Sequence, residues 1–147
     1  MLSRWLNEDT VQVAETAEDW QAALKVCAQP LLQQGVINQA YLLAIIASHQ
    51  QLGPYYVLAP GLAMPHARPE DGANALGLSL LKLRQGISFA SAENDPVDLI
   101  ILLSAPDRHR HIKLIAALAE LFSDEEKMAQ LHRSENKEDV LRIITTC

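Results

Sequence analysis

Residues 53–70 read GPYYVLAPGLAMPHARPE, and this stretch decides how the rest of the chain is interpreted. Gly53-Pro54 ends any preceding helix, and Tyr55 to Leu58 has the composition of a strand. Pro60-Gly61 is typical of a turn. The stretch therefore predicts a strand and a turn that lead into a proline-punctuated, non-helical segment around His66.

The flanking sequence predicts helices alternating with strands. Strand-like apolar patterns occupy Val11–Val13, Leu76–Leu83 and Val97–Ser104. Capping residues and helical spacing predict helices that begin at Thr16 with Asp19, at Asn38, at Pro106-Asp107, at a Ser123/Glu126 capping box and near Asn136. This order predicts an α/β fold in which residues 1–147 form one domain, a mixed β-sheet flanked by helices.

The composition excludes several classes of function. With 18 acidic against 12 basic residues, the net charge of −6 disfavours nucleic-acid binding and suits a basic protein partner. No run approaches the ~20 apolar residues of a membrane-spanning helix, and the N-terminus has no signal-peptide pattern. We therefore expect a cytoplasmic protein. The two cysteines, Cys27 and Cys147, show no zinc spacing and are not expected to form a disulfide.

His66 is the strongest candidate for a reactive side chain. The prolines at positions 65 and 69 hold it in a stiff segment of the kind that often carries function at a protein surface. In an extended segment Arg68 lies on the same side as His66, where a guanidinium can pair with a phosphoryl group on the imidazole. A surface histidine in a proline-rich turn is the alternative interpretation.

His111 is the second candidate. We expect it in the first turn of the helix that opens at Pro106-Asp107, within a cluster containing Arg108, His109 and Arg110. A helix N-terminus favours anions, and cations placed there oppose the helix dipole unless an anion is bound. We expect His111 to face the site and His109 to face solvent. A solvated basic turn is the alternative.

Other chemistries have weaker support. A metal site formed by His66, His109 and His111 with Asp107 is an open alternative, which would make the protein a metal hydrolase. The sequence contains neither a Walker-type phosphate loop nor a GxSxG nucleophile elbow. His49 and His132 are predicted to be ordinary surface residues.

The motifs GPYY, APGLAMPH and ARPE in residues 53–70 resemble the active-site segment of enzyme IIA (EIIA) proteins of the mannitol–fructose class of the sugar phosphotransferase system. Residues 111–122, HIKLIAALAELF, are similar to the second-histidine helix of that family. The resemblance covers essentially the whole chain. It is strongest to the free-standing subunits specific for ascorbate or related to mannitol.

The resemblance implies a phosphoryl carrier with the mannitol-type enzyme IIA fold. His66 would accept a phosphoryl group from the phosphocarrier HPr and pass it to a cysteine of the cognate enzyme IIB (EIIB), with the membrane component enzyme IIC (EIIC) involved indirectly. His111 would help to hold the phosphoryl group, and no cofactor or metal is implied.

Some family members carry an arginine–glutamate pair in the helix before the active strand, and here residues 47–51 read ASHQQ. Arg68 is the candidate replacement for that arginine. A regulatory sensor domain of the same fold is the alternative function, and the transported substrate, whether ascorbate or a mannitol- or fructose-like compound, is left open.

Overall fold

The computed structural model describes residues 1–107, 109 and 111–147. Its strands are β1 (Val11–Ala14), β2 (Val57–Ala59), β3 (Leu62–Ala63), β4 (Gly77–Ile87) and β5 (Val97–Ser104). Its α-helices are α1 (Trp20–Gln33), α2 (Gln39–Leu52), α3 (Ile112–Phe122), α4 (Glu125–Arg133) and α5 (Lys137–Ile144). Short 3-10 turns occupy Leu2–Arg4 and Pro69–Asp71. Among the described residues, no helix has the length and apolarity needed to span a membrane.

The strands form one mixed sheet in the order β1-β4-β5-β3-β2. β1 runs parallel to β4 and β3 runs parallel to β5, whereas the pairs β4–β5 and β2–β3 are antiparallel. The central strands β4 and β5 are buried along most of their length, as expected when both faces of a sheet are covered. The predicted mixed sheet flanked by helices is confirmed.

Two apolar clusters cover the two faces of the sheet. Leu81 and Leu83 of β4 pack with residues of α1 and α2 on one face. Leu78 and Leu80 pack with residues of α3, α4 and α5 on the other face. The alternation of the leucines along β4 therefore divides the core into two layers, because successive strand residues point to opposite faces.

Helices α1, α2, α4 and α5 each begin at the residue whose side chain is the strongest local hydrogen-bond acceptor. Asn38 and Asn136 cap α2 and α5 as predicted, each accepting a main-chain N–H three residues on. For α1 and α4, however, the caps are Asp19 and Asp124, whose carboxylates accept the N–H groups of Ala22 and Lys127. The predicted capping roles of Thr16 and Ser123 were wrong. Their hydroxyls donate instead to main-chain carbonyls, at Gln85 and Ala119 respectively.

Candidate functional site

His66 follows the short strand β3 in the chain and lies beside the carboxyl end of β5. β3 pairs with the middle of β5 through Leu62 with Leu99 and Ala63 with Ile100. Beyond β3 the contact with β5 continues, because the N–H of Leu103 donates to the carbonyl of Pro65 (3.0 Å). Pro65 is buried and His66 is half-buried. The segment is not helical, as predicted, and it presents the imidazole at the edge of the sheet.

One hydrogen bond fixes the protonation pattern of the His66 ring. Nδ1 lies 2.9 Å from the main-chain carbonyl of Met64. A carbonyl oxygen only accepts, so Nδ1 carries a proton in this contact. In the neutral imidazole the lone pair is therefore on Nε2, which is the nitrogen left to act as a nucleophile.

Two tyrosine hydroxyls contact the main chain next to His66. Tyr55 donates to the carbonyl of His66 (2.7 Å), and the N–H of Ala67 donates to the hydroxyl of Tyr41 (3.1 Å). The Tyr41 hydroxyl in turn donates to the carbonyl of Leu103 (2.7 Å). Neither tyrosine was a candidate from the sequence, since Tyr41 lies in a helical pattern and Tyr55 in a strand-like one.

His111 borders the same cleft as His66. The cleft has a volume of about 240 Å³, and both histidines line it together with Tyr41, Asp107 and Ile115. Nδ1 of His111 lies 3.0 Å from the main-chain carbonyl of Asp107, so this ring too is held through Nδ1 by a carbonyl. The structure thus brings together the two histidines that the sequence singled out.

The helix that carries His111 starts later than predicted. α3 begins at Ile112, and His111 is its N-cap residue rather than part of a first turn opening at Pro106-Asp107. The Asp107 carboxylate accepts the N–H of His109 (2.9 Å), and such a local side-chain bond competes with helix formation. His109 is exposed, as expected. Arg108 and Arg110, which completed the predicted basic cluster, lie outside the described residues.

Arg68 borders a second cleft on the other side of His66. This cleft, about 550 Å³ in volume, is lined by both residues together with Ser48, Tyr55 and Asp71. The Nε atom of Arg68 lies 3.4 Å from Oδ2 of Asp71 and 3.7 Å from Oε1 of Glu70, and 76% of its side chain is exposed. The hydrogen bond with Asp71 raises the pKa of Arg68, so the guanidinium is charged but already paired.

The remaining histidines differ from the prediction that both are surface residues. His49 is only 4% exposed, its Nδ1 lies 2.7 Å from the hydroxyl of Tyr56, and its ring stacks on Trp20. Burial lowers the pKa of His49. His132 is partly buried, with Nδ1 2.7 Å from Oδ1 of Asp98. Among residues 1–107, 109 and 111–147, no three or more His, Cys, Asp or Glu side chains are placed to hold a metal ion.

Known proteins resemble this chain over nearly its whole length. The solution structure of the mannitol-specific cryptic phosphotransferase enzyme IIA CmtB from Escherichia coli is 42% identical, with a TM-score of 0.92 and 99% of each chain covered. The ascorbate-specific EIIA component of Escherichia coli strain K12 is 38% identical over 136 residues, which is 92% of this chain and 88% of that protein.

A more distant structure shares the fold. It is the complex of mannitol enzyme IIA with phosphorylated mannitol enzyme IIB from Escherichia coli, with 20% identity, a TM-score of 0.79, and coverage of 96% of this chain and 97% of the other. The model of the family "Phosphoenolpyruvate-dependent sugar phosphotransferase system, EIIA 2" matches residues 4–147. This chain therefore belongs to the EIIA 2 family, and it is a phosphotransferase that carries phosphoryl groups for sugar uptake.

Proposed function

We propose that Nε2 of His66 is the atom that carries the phosphoryl group, within an EIIA domain formed by residues 1–147. The observation that supports this most is the Nδ1 contact with Met64, which leaves the lone pair on Nε2 in a half-buried ring beside a cleft. The Nδ1 proton also matters for the next transfer. With that proton in place, the phosphorylated ring departs as neutral imidazole, which is a good leaving group.

The proposed cycle consists of two displacements at phosphorus. In the first, the Nε2 lone pair attacks the phosphoryl group of phospho-HPr, the bond to HPr breaks, and HPr leaves with that electron pair. In the second, a cysteine thiolate of EIIB attacks the same phosphorus, an S–P bond forms, and the N–P bond electrons return to Nε2. Both steps depend mainly on positioning and on stabilising the charge of the transferring group.

His111 is proposed to stabilise the phosphoryl group. Its Nδ1 is held by the carbonyl of Asp107, so Nε2 is the nitrogen that remains to contact a phosphoryl oxygen. When the ring is protonated, Nε2 donates a charge-assisted hydrogen bond. His111 also lies at the N-terminus of α3, where main-chain N–H groups and the helix dipole favour negative charge.

Arg68 is proposed to stabilise the phosphoryl group from the second cleft. Its guanidinium is charged and highly exposed, but it now pairs with Asp71 and Glu70. Contact with a phosphoryl group on His66 would require it to exchange at least one of these carboxylates. A doubly charged phosphoryl group competes well with an exposed carboxylate, because solvent screens exposed ion pairs and leaves them weak.

The proposed partners are HPr, the cognate EIIB and, indirectly, the membrane component EIIC, all met in the cytoplasm. Leu52 and Tyr55 are exposed and line the cleft beside His66, so they offer apolar contact area to a docking partner. The relatives named above are specific for mannitol and for ascorbate. We therefore propose uptake of ascorbate or of a mannitol- or fructose-like compound, with no cofactor.

Labelled phosphoenolpyruvate, enzyme I and HPr test the site. We expect the wild-type protein to become labelled and His66→Ala to take up no label, with His109→Ala as the control because that histidine is exposed. Label on His66→Ala would overturn the proposal. So would an unlabelled wild-type protein when another EIIA accepts label in parallel.

The same labelled protein tests the substrate class. It is mixed with purified EIIB from an ascorbate system and with purified EIIB from a mannitol system, and the loss of label from His66 is followed over time. Faster transfer to one of them assigns the class, and transfer to neither would contradict both ascorbate and a mannitol-like compound as the substrate.

A further inference from the structure

A single peptide unit, the one that joins His66 to Ala67, is held at both ends by tyrosine hydroxyls. Its carbonyl accepts from Tyr55 at 2.7 Å, and its N–H donates to Tyr41 at 3.1 Å. The two tyrosines come from different parts of the chain, one from the first turn of α2 and one from the loop after that helix. Together they fix the plane of the peptide that directly follows the reactive histidine.

Tyr41 fastens this peptide to the core of the sheet. Its side chain is fully buried, and its hydroxyl donates to the carbonyl of Leu103 at the end of β5 (2.7 Å). Because a hydroxyl has only one proton, the contact with Ala67 uses a lone pair of the same oxygen. Burial raises the pKa of Tyr41 to about 12, so this proton is retained throughout the physiological range.

Tyr55 fastens the other end of the peptide to an aromatic cluster. Its ring packs edge-on against Tyr56 (centroids 5.1 Å apart) and against the His66 imidazole (5.8 Å). Tyr56 is buried, and its ring packs edge-on against Phe89 (centroids 6.2 Å apart). The Tyr55 hydroxyl is therefore placed by packed rings although the residue itself is partly exposed.

Fixing this peptide also fixes the imidazole. The orientation of the 66–67 peptide sets ψ of His66, and the bond from Leu103 to the Pro65 carbonyl restrains the residue before it. The ring is then closed back onto Met64 through Nδ1. With the backbone held on both sides of His66, the contact between Nδ1 and the Met64 carbonyl determines the direction in which Nε2 points.

From this geometry we infer that Tyr41 and Tyr55 are positioning residues for phosphoryl transfer, which hold His66 in the orientation and tautomer that expose the Nε2 lone pair. The inference rests on the proposed role of His66. Neither hydroxyl is required to touch the phosphoryl group, since both act through the main chain of the histidine.

The variants Tyr55→Phe and Tyr41→Phe remove one hydroxyl each and keep the ring. Misplacement of a reacting group by about 1 Å costs up to roughly 100-fold in rate, so we expect each variant to accept phosphate from phospho-HPr about 10- to 100-fold more slowly. The double variant should lose less than the product of the two factors, because both hydroxyls hold the same peptide. The matched control is Tyr56→Phe, whose hydroxyl contacts His49 instead of this peptide.

Imidazole ¹⁵N NMR of the unphosphorylated proteins supplies a readout that general destabilisation does not move in a folded sample. The wild type and Tyr56→Phe should show His66 protonated at Nδ1. Tyr55→Phe should show a mixture of tautomers. If Tyr41→Phe fails to fold, Tyr55→Phe provides the test, because Tyr55 is partly exposed and Tyr41 is buried.

The outcomes distinguish a wrong phosphorylation site from a wrong positioning role of the tyrosines. Label that persists on His66→Ala refutes the phosphorylation site, and the positioning role falls with it. If His66→Ala is unlabelled but Tyr55→Phe keeps the wild-type rate and the Nδ1 tautomer, the positioning role alone is wrong. Slower transfer together with mixed tautomers, absent in Tyr56→Phe, supports it.

Discussion

Two histidine environments lie near opposite ends of β5, and they are built differently. At the carboxyl end, His66 and His111 are each held through Nδ1 by a main-chain carbonyl. Near the amino end, His132 is held through Nδ1 by the carboxylate of Asp98. Asp98 precedes Leu103 by five residues, so the two places are separated by about 16 Å at roughly 3.3 Å per strand residue.

We propose that the partner of Nδ1 distinguishes the rings of the phosphoryl-transfer site from a structural one. A carbonyl fixes the tautomer without adding a formal charge, and so does not repel an incoming phosphoryl group. Asp98, by contrast, is part of a closed ionic network, since its Oδ2 lies 3.1 Å from Nζ of Lys82, which is only 1% exposed. Nζ also donates to the carbonyl of Leu83 (2.6 Å). We therefore expect the first place to control transfer and the second to control stability.

The largest expected effect comes from breaking the ionic network. Asp98→Asn leaves the ammonium group of Lys82 buried without its carboxylate, and we expect the free energy of unfolding to fall by about 3 kcal/mol. Urea denaturation measures this loss. Phosphoryl acceptance by the folded fraction should stay at the wild-type rate.

The control for Asp98→Asn is the double variant Lys82→Met/Asp98→Asn. It removes both charges, so it should regain much of the lost stability. A loss below about 1 kcal/mol in Asp98→Asn, or a double variant no more stable than the single one, would contradict the view that the unpaired ammonium group of Lys82 is what destabilises Asp98→Asn.

His111→Ala tests the other side of the comparison. Loss of a group that stabilises transition-state charge should slow phosphoryl acceptance about 10- to 100-fold, measured by rapid quench with phospho-HPr. Among the described residues His111 makes no side-chain capping bond to α3, so stability should change by less than about 1 kcal/mol.

His132→Ala is the matched control for His111→Ala. We expect the opposite pattern from it, with lower stability and an unchanged rate, because it removes a partner of Asp98. A His111 variant that transfers phosphate as fast as the wild type would refute the proposed role of that residue.

Much of the fold could be predicted because its signals are local. Asn38 and Asn136 cap helices through hydrogen bonds to residues three positions away. The sequences of β4 and β5 contain longer apolar runs than solvent-exposed strands do, which indicates that these strands are buried. The errors arose where two local acceptors compete. The carboxylates of Asp19 and Asp124 cap their helices, although the hydroxyl residues Thr16 and Ser123 come earlier in the chain.

The candidate site was predictable in its histidines and in Arg68, but not in its tyrosines. His66 stands out through its prolines and its resemblance to a known motif, and the structure places it at one cleft with His111. Tyr41 could not be found, because its hydroxyl contacts residues 26 and 62 positions further along the chain. Helical spacing identifies such a tyrosine as a core residue, but it contains no information on which groups the hydroxyl contacts.

His49 is a different kind of miss, because a signal was present. It follows Leu42, Ile45 and Ile46 by seven, four and three residues, which places it on the buried face of α2. The polar neighbours in residues 47–51 obscured this periodicity. Its ring gives a third environment to set beside the other two, with a hydroxyl as the Nδ1 partner inside an apolar cluster.

The smallest expected effect is a pH dependence caused by His49. Burial lowers its pKa below the ordinary value of 6.5, so at pH values just under 6.5 the unfolded chain binds a proton there that the folded chain does not. The stabilising contribution is complete above pH 6.5 and declines as the pH falls towards the folded-state pKa. A full proton of difference changes the free energy of unfolding by about 1.4 kcal/mol per pH unit, so we expect at most about 1 kcal/mol between pH 6.5 and 5.5.

Urea unfolding of His49→Phe at pH 7.5, 6.5 and 5.5 measures this contribution by its loss. Phenylalanine keeps a ring against Trp20 and cannot bind a proton, so the variant should lose less stability than the wild type over that range, even if it is less stable at every pH. His109→Ala, which removes an exposed histidine, should keep the wild-type pH dependence. If His49→Phe and the wild type lose stability in parallel, the buried ring is not the proton-linked group, and burial does not hold this imidazole neutral.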